Sequence, residues 1–379
     1  MTTRRALLVG YYGRRNTGDD TFLTVSAWGA RRYLGCDEIY AVAGVLPNTH
    51  GIQVRPVHFT TQLSTYDRIR EWWSYSRAGS IVFGGGSNFH TRAYMEGVSR
   101  KLELSRLARR STVRAAVGVS IGPFRDARAE TACAKLLNKL TFVGVRDRAS
   151  YKRAMEIAPD ARVELTFDLA PLLPVVTNVD VGEISRSSNS LGVAMCNYER
   201  FVGGRVQDEE RRIRIVAESI RNNVGLVDEV VLFDFNGHEY FGDASVSNAL
   251  AELLQGAIPV RHFRYEADPV SMLRGIAGLR GMIAMRMHAA VFAFCSRTPF
   301  VLLAYHEKCR EFGNMIGFPS ELTFDASHLE VDAITRGIEL ILDGNGPLSL
   351  LPVETATENA LRNWSWVEEL DSPDHFFLR

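Results

Sequence analysis

The stretch "GMIAMRMHAAVFAFCSRTPFVLLAY", residues 281–305, decides the fold. It opens on an apolar run, 281–285, and closes on a second, 300–305, with "HAAVFAFCSR" between them. The two runs have the length of buried strands, and the middle segment has the length and pattern of a buried helix. Strand, helix, strand is a βαβ unit, the building block of a parallel sheet. Arg286, Met287 and His288 stand at the strand-to-helix turn. A guanidinium and an imidazole at such a seam are either paired away or hold something charged.

The same alternation runs through the chain. In the first half, strands read near 6–10, 38–43, 80–84, 113–120, 142–146 and 163–167. Helical patterns fall between them at 20–34, 62–76, 94–110, 127–140 and 148–157. A proline-bearing and then Ser/Asn-rich stretch, 171–190, reads as a linker. The rhythm then restarts, with strands at 191–196, 229–235, 258–263, 281–285 and 300–305. Helices are expected at 208–223, 243–254, 269–278, 288–296 and 330–342. The expected fold class is therefore α/β, with two Rossmann-like domains, 1–175 and 188–345, facing each other across a cleft. The final stretch, 350–379, carries the Trp-rich helical segment "ETATENALRNWSWVEEL" and is expected to pack back on the first domain.

A length of 379 residues suits such a division. Lys plus Arg equals Asp plus Glu at 44 each, which argues against a dedicated nucleic-acid binder but not against a local anion seat. Cys36, Cys133, Cys196, Cys295 and Cys309 are scattered, without zinc or disulfide spacing, and read as reduced core thiols of a cytoplasmic protein. The apolar run near the N-terminus is too short for a secretory segment, and no run approaches a membrane span. If a membrane matters, the protein visits its surface, at the inner face. "REWWSYSR" (70–77) has two readings: aromatics on a core-facing stripe, or a contact with a membrane surface.

In open parallel sheets, ligands bind beyond the carboxyl ends of the strands, so the residues that follow each strand matter most. "GYYGRRNTGDD" (10–20) has glycines for tight turns and close approach, then Asn16, Thr17 and Asp19 able to cap a helix. Its spacing matches neither the dinucleotide fingerprint nor a P-loop. Asp19 and Asp20 suit sugar hydroxyls better than phosphate. "VFGGGSNFH" (82–90) leaves backbone bare at Gly85 and Gly86 and closes on His90. "VGVRDRAS" (143–150) places Arg146 at a strand edge, where a guanidinium can grip a carboxylate or phosphate; Arg148 is a weaker candidate. At 286–288, the helix N-terminus, the Arg286 fork and His288 converge on one kind of ligand, an anion. His288 can also give a proton if it titrates near neutrality. Lys308 in "LLAYHEKCREF" (302–312) is either a further anion contact or a solvated residue. No DxD or other ligand spacing asks for a metal.

The blocks "GYYGRRNTGDD", "GGGSNFH", "GVSIGP", "GVRDRAS", "DLAPLL" and "RMHAAVFAFCSRTPFVLLAYHEK" come in an order and spacing that resembles the polysaccharide pyruvyl transferases, over positions 6 to about 312. The resemblance implies a GT-B-like arrangement and transfer of a pyruvyl group from phosphoenolpyruvate, the donor substrate, to two hydroxyls of one sugar. No separate cofactor is implied. Arg286, the Met287 backbone and His288 match the family's Arg-x-His donor element, and Arg146 matches its "VRD" arginine. His90 lies where an acceptor-side histidine is expected, and Arg14 and Arg15 are a departure from the family pattern. The implied acceptor is an oligosaccharide or lipid-linked glycan of a bacterial surface polymer, approached by Asn16, Thr17, Asp19, Gly85, Gly86 and His90, with Asp19 or His90 as base. Two other functions fit the same architecture: a nucleotide-sugar glycosyltransferase, for which only Glu307 and Tyr305 offer ribose or base contacts, and a non-catalytic glycan binder. The oligomeric state is left open.

Overall fold

The computed structural model describes residues 4–58, 64–108, 113–184, 189–344 and 349–370. The chain divides into two compact units, one of residues 1–14, 19–177 and 354–379, the other of 15–18 and 178–353.

The first unit holds seven strands: β1 (Arg5–Val9), β2 (Glu38–Ala41), β3 (Val54–Pro56), β4 (Ser80–Phe89), β5 (Val113–Ile121), β6 (Phe142–Val145) and β7 (Val163–Leu165). All pair in parallel, in the order β3-β2-β1-β4-β5-β6-β7. The connecting helices are α1 (Thr17–Arg32), α2 (Thr65–Arg77), α3 (Arg92–Leu107), α4 (Ala127–Leu137), α5 (Arg148–Ile157) and α6 (Leu173–Thr177). Local chemistry starts several of them. Asp126 accepts from the Ala129 N–H and Asp147 from the Ser150 N–H, each satisfying a donor that a helix start leaves without a partner.

The second unit repeats the plan with six strands: β8 (Ser190–Ala194), β9 (Glu229–Phe233), β10 (Val260–Phe263), β11 (Gly281–Ala284), β12 (Phe300–Ala304) and β13 (Thr323–Asp325). They too are parallel, in the order β10-β9-β8-β11-β12-β13. Its helices are α7 (Tyr198–Val202), α8 (Val206–Arg221), α9 (Ala244–Leu254), α10 (Pro269–Ala277), α11 (Met287–Cys295), α12 (Glu307–Ile316) and α13 (Val331–Leu342). Taken by position, this is the doubly wound Rossmann order 3-2-1-4-5-6. Each unit has its own apolar core. Leu7, Phe83, Met95, Cys133 and Val143 lie in the first, and Val193, Val216, Leu232, Ile283 and Ile338 in the second.

The last helix, α14 (Val353–Leu370), is bound into the first unit by its aromatic face. Trp364 stacks on Tyr33 and Trp366 on Phe142, and both tryptophans are buried. Asn363, fully buried, accepts from Gly118 N and Thr166 Oγ1 and donates to Phe167 O. Gly144 makes room for it, since a Cβ there would stand 2.2 Å from the Asn363 carbonyl oxygen.

The two parallel α/β halves expected from the alternation are present. Local details differ, among them α6, inside the expected linker, and α7, which was not expected. β3 and β13, three residues each, and α12 were not expected. The glycine run at 84–86 is not a loop. β4 continues through it to Phe89, with a register shift against β5 between Gly86 and Phe89. A Cβ on Gly84 would strike Ser26 Oγ at 2.0 Å, and one on Gly85 would strike the Phe22 ring at 2.3 Å. Those two glycines let α1 lie against the strand. The ends of the helical patterns at 62–63 and 109–110, and the domain limits at 188 and 345, fall outside the described residues. All five cysteines are buried, and burial pushes the thiols of Cys133 and Cys196 up to about 12. Among the described residues no helix is long and apolar enough to cross a membrane.

Candidate active site

In the second unit the strand order reverses between β8 and β11, so the crevice of this sheet opens beyond their carboxyl ends. β11 leads directly there. The N–H groups of Met285 and Arg286 both donate to Ala194 O, the last residue of β8, at 2.9 and 3.2 Å. Arg286 keeps extended backbone angles (φ −61°, ψ 127°) and so forms the N-cap of α11. Every residue of α11 is buried except His288, the one polar side chain in its first turn.

Arg286 has a partner that the sequence did not reveal. Its Nε donates at 3.0 Å to both oxygens of Asp243, its Nη2 donates to the same carboxylate, and Asp243 has no solvent exposure. Asp243 also accepts from Asn236 N at 2.9 Å. Burial pushes the Asp243 carboxyl up, against the pull of Arg286. Burial alone would lower Arg286, but Asp243, Cys196 and Tyr305 together outweigh it and hold the guanidinium above its ordinary range. The expectation of a buried charge in need of a ligand is corrected here: the ion pair is internal to the second unit. With 18% of its side chain exposed, Arg286 offers an anion an oriented donor edge more than a net charge.

The segment 15–18 belongs to this unit, and its contacts show why. Thr17 N and Oγ1 both donate to Phe235 O, at 2.9 and 3.2 Å, and Gly237 N donates to Arg15 O at 2.8 Å. Asn16 pairs with Asn236 in an antiparallel bridge, and its Oδ1 accepts from Gly18 N at 3.0 Å. Gly18 lies against His288 so closely that a Cβ would stand 2.1 Å from Nδ1. The glycine expected to permit a close approach is thus approached by the imidazole of the candidate acid. Thr17 is completely buried, and its hydroxyl donates to Phe235 O, which ties the segment to the residues just after β9. Lys308 lies in the first turn of α12, half-buried, with Nζ 5.6 Å from the Tyr305 ring centroid. Tyr305 in turn meets Tyr198 edge-on at 4.9 Å.

In the first unit the order reverses between β1 and β4, and most of the other candidates gather there. Gly86 has φ +80° and open space about it. A Cβ would meet nothing closer than Asn88 Nδ2 at 3.5 Å and Asp19 Oδ1 at 3.8 Å. Asp19 is half-buried at the start of α1. His90 is exposed, and its Nδ1 lies 2.6 Å from Ser87 O. A carbonyl only accepts, so Nδ1 is the donor in that bond and Nε2 is not engaged by it.

Arg146 is placed differently. Its Nε donates to Ser120 Oγ at 2.7 Å, Nη1 to Asp168 Oδ2 at 2.8 Å and Nη2 to Ser87 Oγ at 3.4 Å, and the residue is 6% exposed. Asp147 accepts from Ser120 Oγ and caps α5. Arg146 is a buried arginine paired with Asp168, because a charge at that depth needs a carboxylate. What Arg146 does reach is Ser87, one residue beyond Gly86. Its effect on the glycine strand is therefore one of position. Asp243 and Asp168 are the residues that sequence reasoning missed. Asp168 stood in a quoted block, and Asp243 is the first residue of an expected helix, 243–254.

A family model described as "Polysaccharide pyruvyl transferase" matches residues 38–307. Comparison with curated protein sequences finds no match. Among solved structures, the UDP-GlcNAc 2-epimerase of Methanocaldococcus jannaschii is similar with a TM-score of 0.60 at 8% identity, over 94% of this chain and 98% of that one. The Neisseria meningitidis UDP-GlcNAc 2-epimerase bound to UDP-GlcNAc gives 0.61 at 9% identity, over 95% and 99%. A glycosyltransferase of Rickettsia africae gives 0.54 at 10%, over 97% of each chain. At such identities the likeness is one of fold, the two-domain GT-B type. The matched segment takes in β2 through β12 and holds Gly86, His90, Arg146, Asp243, Arg286 and His288. On that match, across most of its length, the chain belongs to the polysaccharide pyruvyl transferase family, and it is a transferase.

Proposed function

We propose that the protein moves a pyruvyl group from phosphoenolpyruvate onto two hydroxyls of one sugar, in a bacterial surface polysaccharide or its lipid-linked precursor, to give a cyclic ketal. The observation that carries this reading is Arg286-Met287-His288 at the start of α11, at the strand-order reversal of the second sheet, in a chain of this family. Phosphoenolpyruvate brings a carboxylate and a phosphate. The helix start offers N–H groups and roughly half a positive charge, and Arg286 adds a donor edge locked in place by Asp243. Lys308 is assigned a supporting contact to the same donor.

His288, as imidazolium, gives its proton to the donor methylene, and C2 becomes electrophilic. An acceptor hydroxyl oxygen attacks C2, and its proton passes to the base, assigned to Asp19 or His90. The bond from C2 to the phosphate oxygen breaks, and phosphate leaves with the electron pair. The second hydroxyl then closes the ketal. Of the two hydroxyl protons, one replaces that given up by His288 and the other leaves with phosphate.

Thermal unfolding in the presence of phosphoenolpyruvate, UDP or GDP tests the donor, because a ligand that binds only the folded protein raises its midpoint. A rise with phosphoenolpyruvate alone is expected. A rise with a nucleotide and none with phosphoenolpyruvate reassigns the protein to nucleotide-sugar transfer.

A further inference from the structure

The outer face of α2 has no part in this chemistry. Tyr66, Ile69 and Trp73 recur at the i, i+3, i+7 spacing that lines one side of a helix, and they are 61%, 61% and 57% exposed. Trp72, beside them, is 38% exposed. The buried residues of the helix are Asp67 and Tyr75, on the other side. The core-facing reading of "REWWSYSR" therefore fails for both tryptophans.

The exposed charged residues of α2 are of one sign. Both carboxylates of α2 are engaged away from it. Asp67 is 1% exposed and closes the capping box with Ser64, while Glu71 pairs with Lys101 at 2.6 Å and lies 3.5 Å from His58. Arg68 and Arg77 are exposed, and the Arg77 guanidinium lies 4.4 Å from the Trp73 ring centroid. Nearby, Glu38 is the one carboxylate among Arg5, Arg55 and Arg77, and the three together hold it below its ordinary range.

We propose that the outer face of α2 is a docking surface for an anionic lipid bilayer. Trp and Tyr are the residues that settle at the headgroup level, and an aliphatic side chain between them reaches the acyl boundary. Arg68 and Arg77 meet the lipid charge, Arg77 from beside the Trp73 ring. A second copy of this chain is disfavoured as the occupant, because mating two such faces would set Arg68 and Arg77 of each against those of the other. The inference is independent of the reaction proposed above.

The test is flotation of the full chain with vesicles of phosphatidylcholine, with or without phosphatidylglycerol. Co-flotation is expected with the anionic vesicles and is expected to weaken with salt. Ile69→Ala/Trp73→Ala should lower the partition coefficient about a hundredfold, since each side chain contributes burial energy worth about a factor of ten. Arg68→Glu/Arg77→Glu should abolish the preference for phosphatidylglycerol. Both pairs change exposed residues, so circular dichroism should show unchanged unfolding midpoints. The proposal is overturned by no co-flotation of the wild type, or by equal co-flotation of the first variant. It is also overturned if those substitutions instead abolish a concentration-dependent dimer.

Discussion

His288 and Asp243 carry different burdens, and substitution separates them. If His288 supplies the proton that makes C2 electrophilic, His288→Ala lowers kcat by about 10²–10⁴-fold, the range for a general acid, and changes phosphoenolpyruvate affinity much less. A turnover assay beside a donor titration reads both, and equal losses would refute the acid role. Asp243 acts through Arg286. Asp243→Ala leaves a guanidinium buried without its counter-charge and should cost about 3–5 kcal/mol in chemical denaturation. Asp243→Ala/Arg286→Ala should lose less than the sum of the two single changes, because the second substitution removes the stranded charge. The place of Arg286 at the helix start was legible from residues 281–305 alone. Its partner was not, because Asp243 lies 43 positions away and only the fold brings the two together. Arg146 makes the same point. Its strand-edge position could be read, but the pairing with Asp168, 22 positions on, depends on β7 lying beside β6.

Among the elements, α14 and α2 show how single polar groups hold helices in place. Asn363 satisfies the Gly118 N–H inside the core, so Asn363→Ala leaves that donor without its partner and should destabilise the protein by about 1–3 kcal/mol in urea unfolding. Between α2 and α3, Glu71 is a pH-dependent tie. Burial raises its carboxyl, but His58 and Lys101 outweigh burial and bring it below its ordinary 4.5. A carboxyl lowered on folding adds stability above the unfolded value and loses it as pH falls through the folded one. Glu71→Gln should therefore be less stable than wild type at neutral pH. The gap should begin to close near pH 4.5 and vanish below the folded pKa. Urea midpoints across that range check it, and a gap independent of pH would contradict it. Element type was legible in most long, periodic runs, but not in α12, ten residues long. The glycine extension of β4 was not, because three residues without side chains carry no alternation, and β3 and β13 are too short to show a period.

At the scale of the whole molecule, two parallel sheets followed from the repeated alternation of short apolar runs with helical patterns, and both are present. Each sheet puts its strand-order reversal beside a block that had been singled out: the glycine strand with Asp19 and His90 in one, Arg286 to His288 in the other. What composition could not convey was that the two arginines expected to attract an anion are each matched with a buried aspartate. On the proposed reading, donor recognition would rest on oriented N–H groups as much as on charge. The most direct test of pyruvyl transfer is to incubate the protein with phosphoenolpyruvate and extracted lipid-linked glycans and to follow the glycans by mass spectrometry alongside phosphate release. The account predicts a mass gain of one pyruvate less water, one phosphate for each group transferred, and loss of both in His288→Ala. Glycans unchanged across a broad acceptor panel, with no phosphate released, would contradict it.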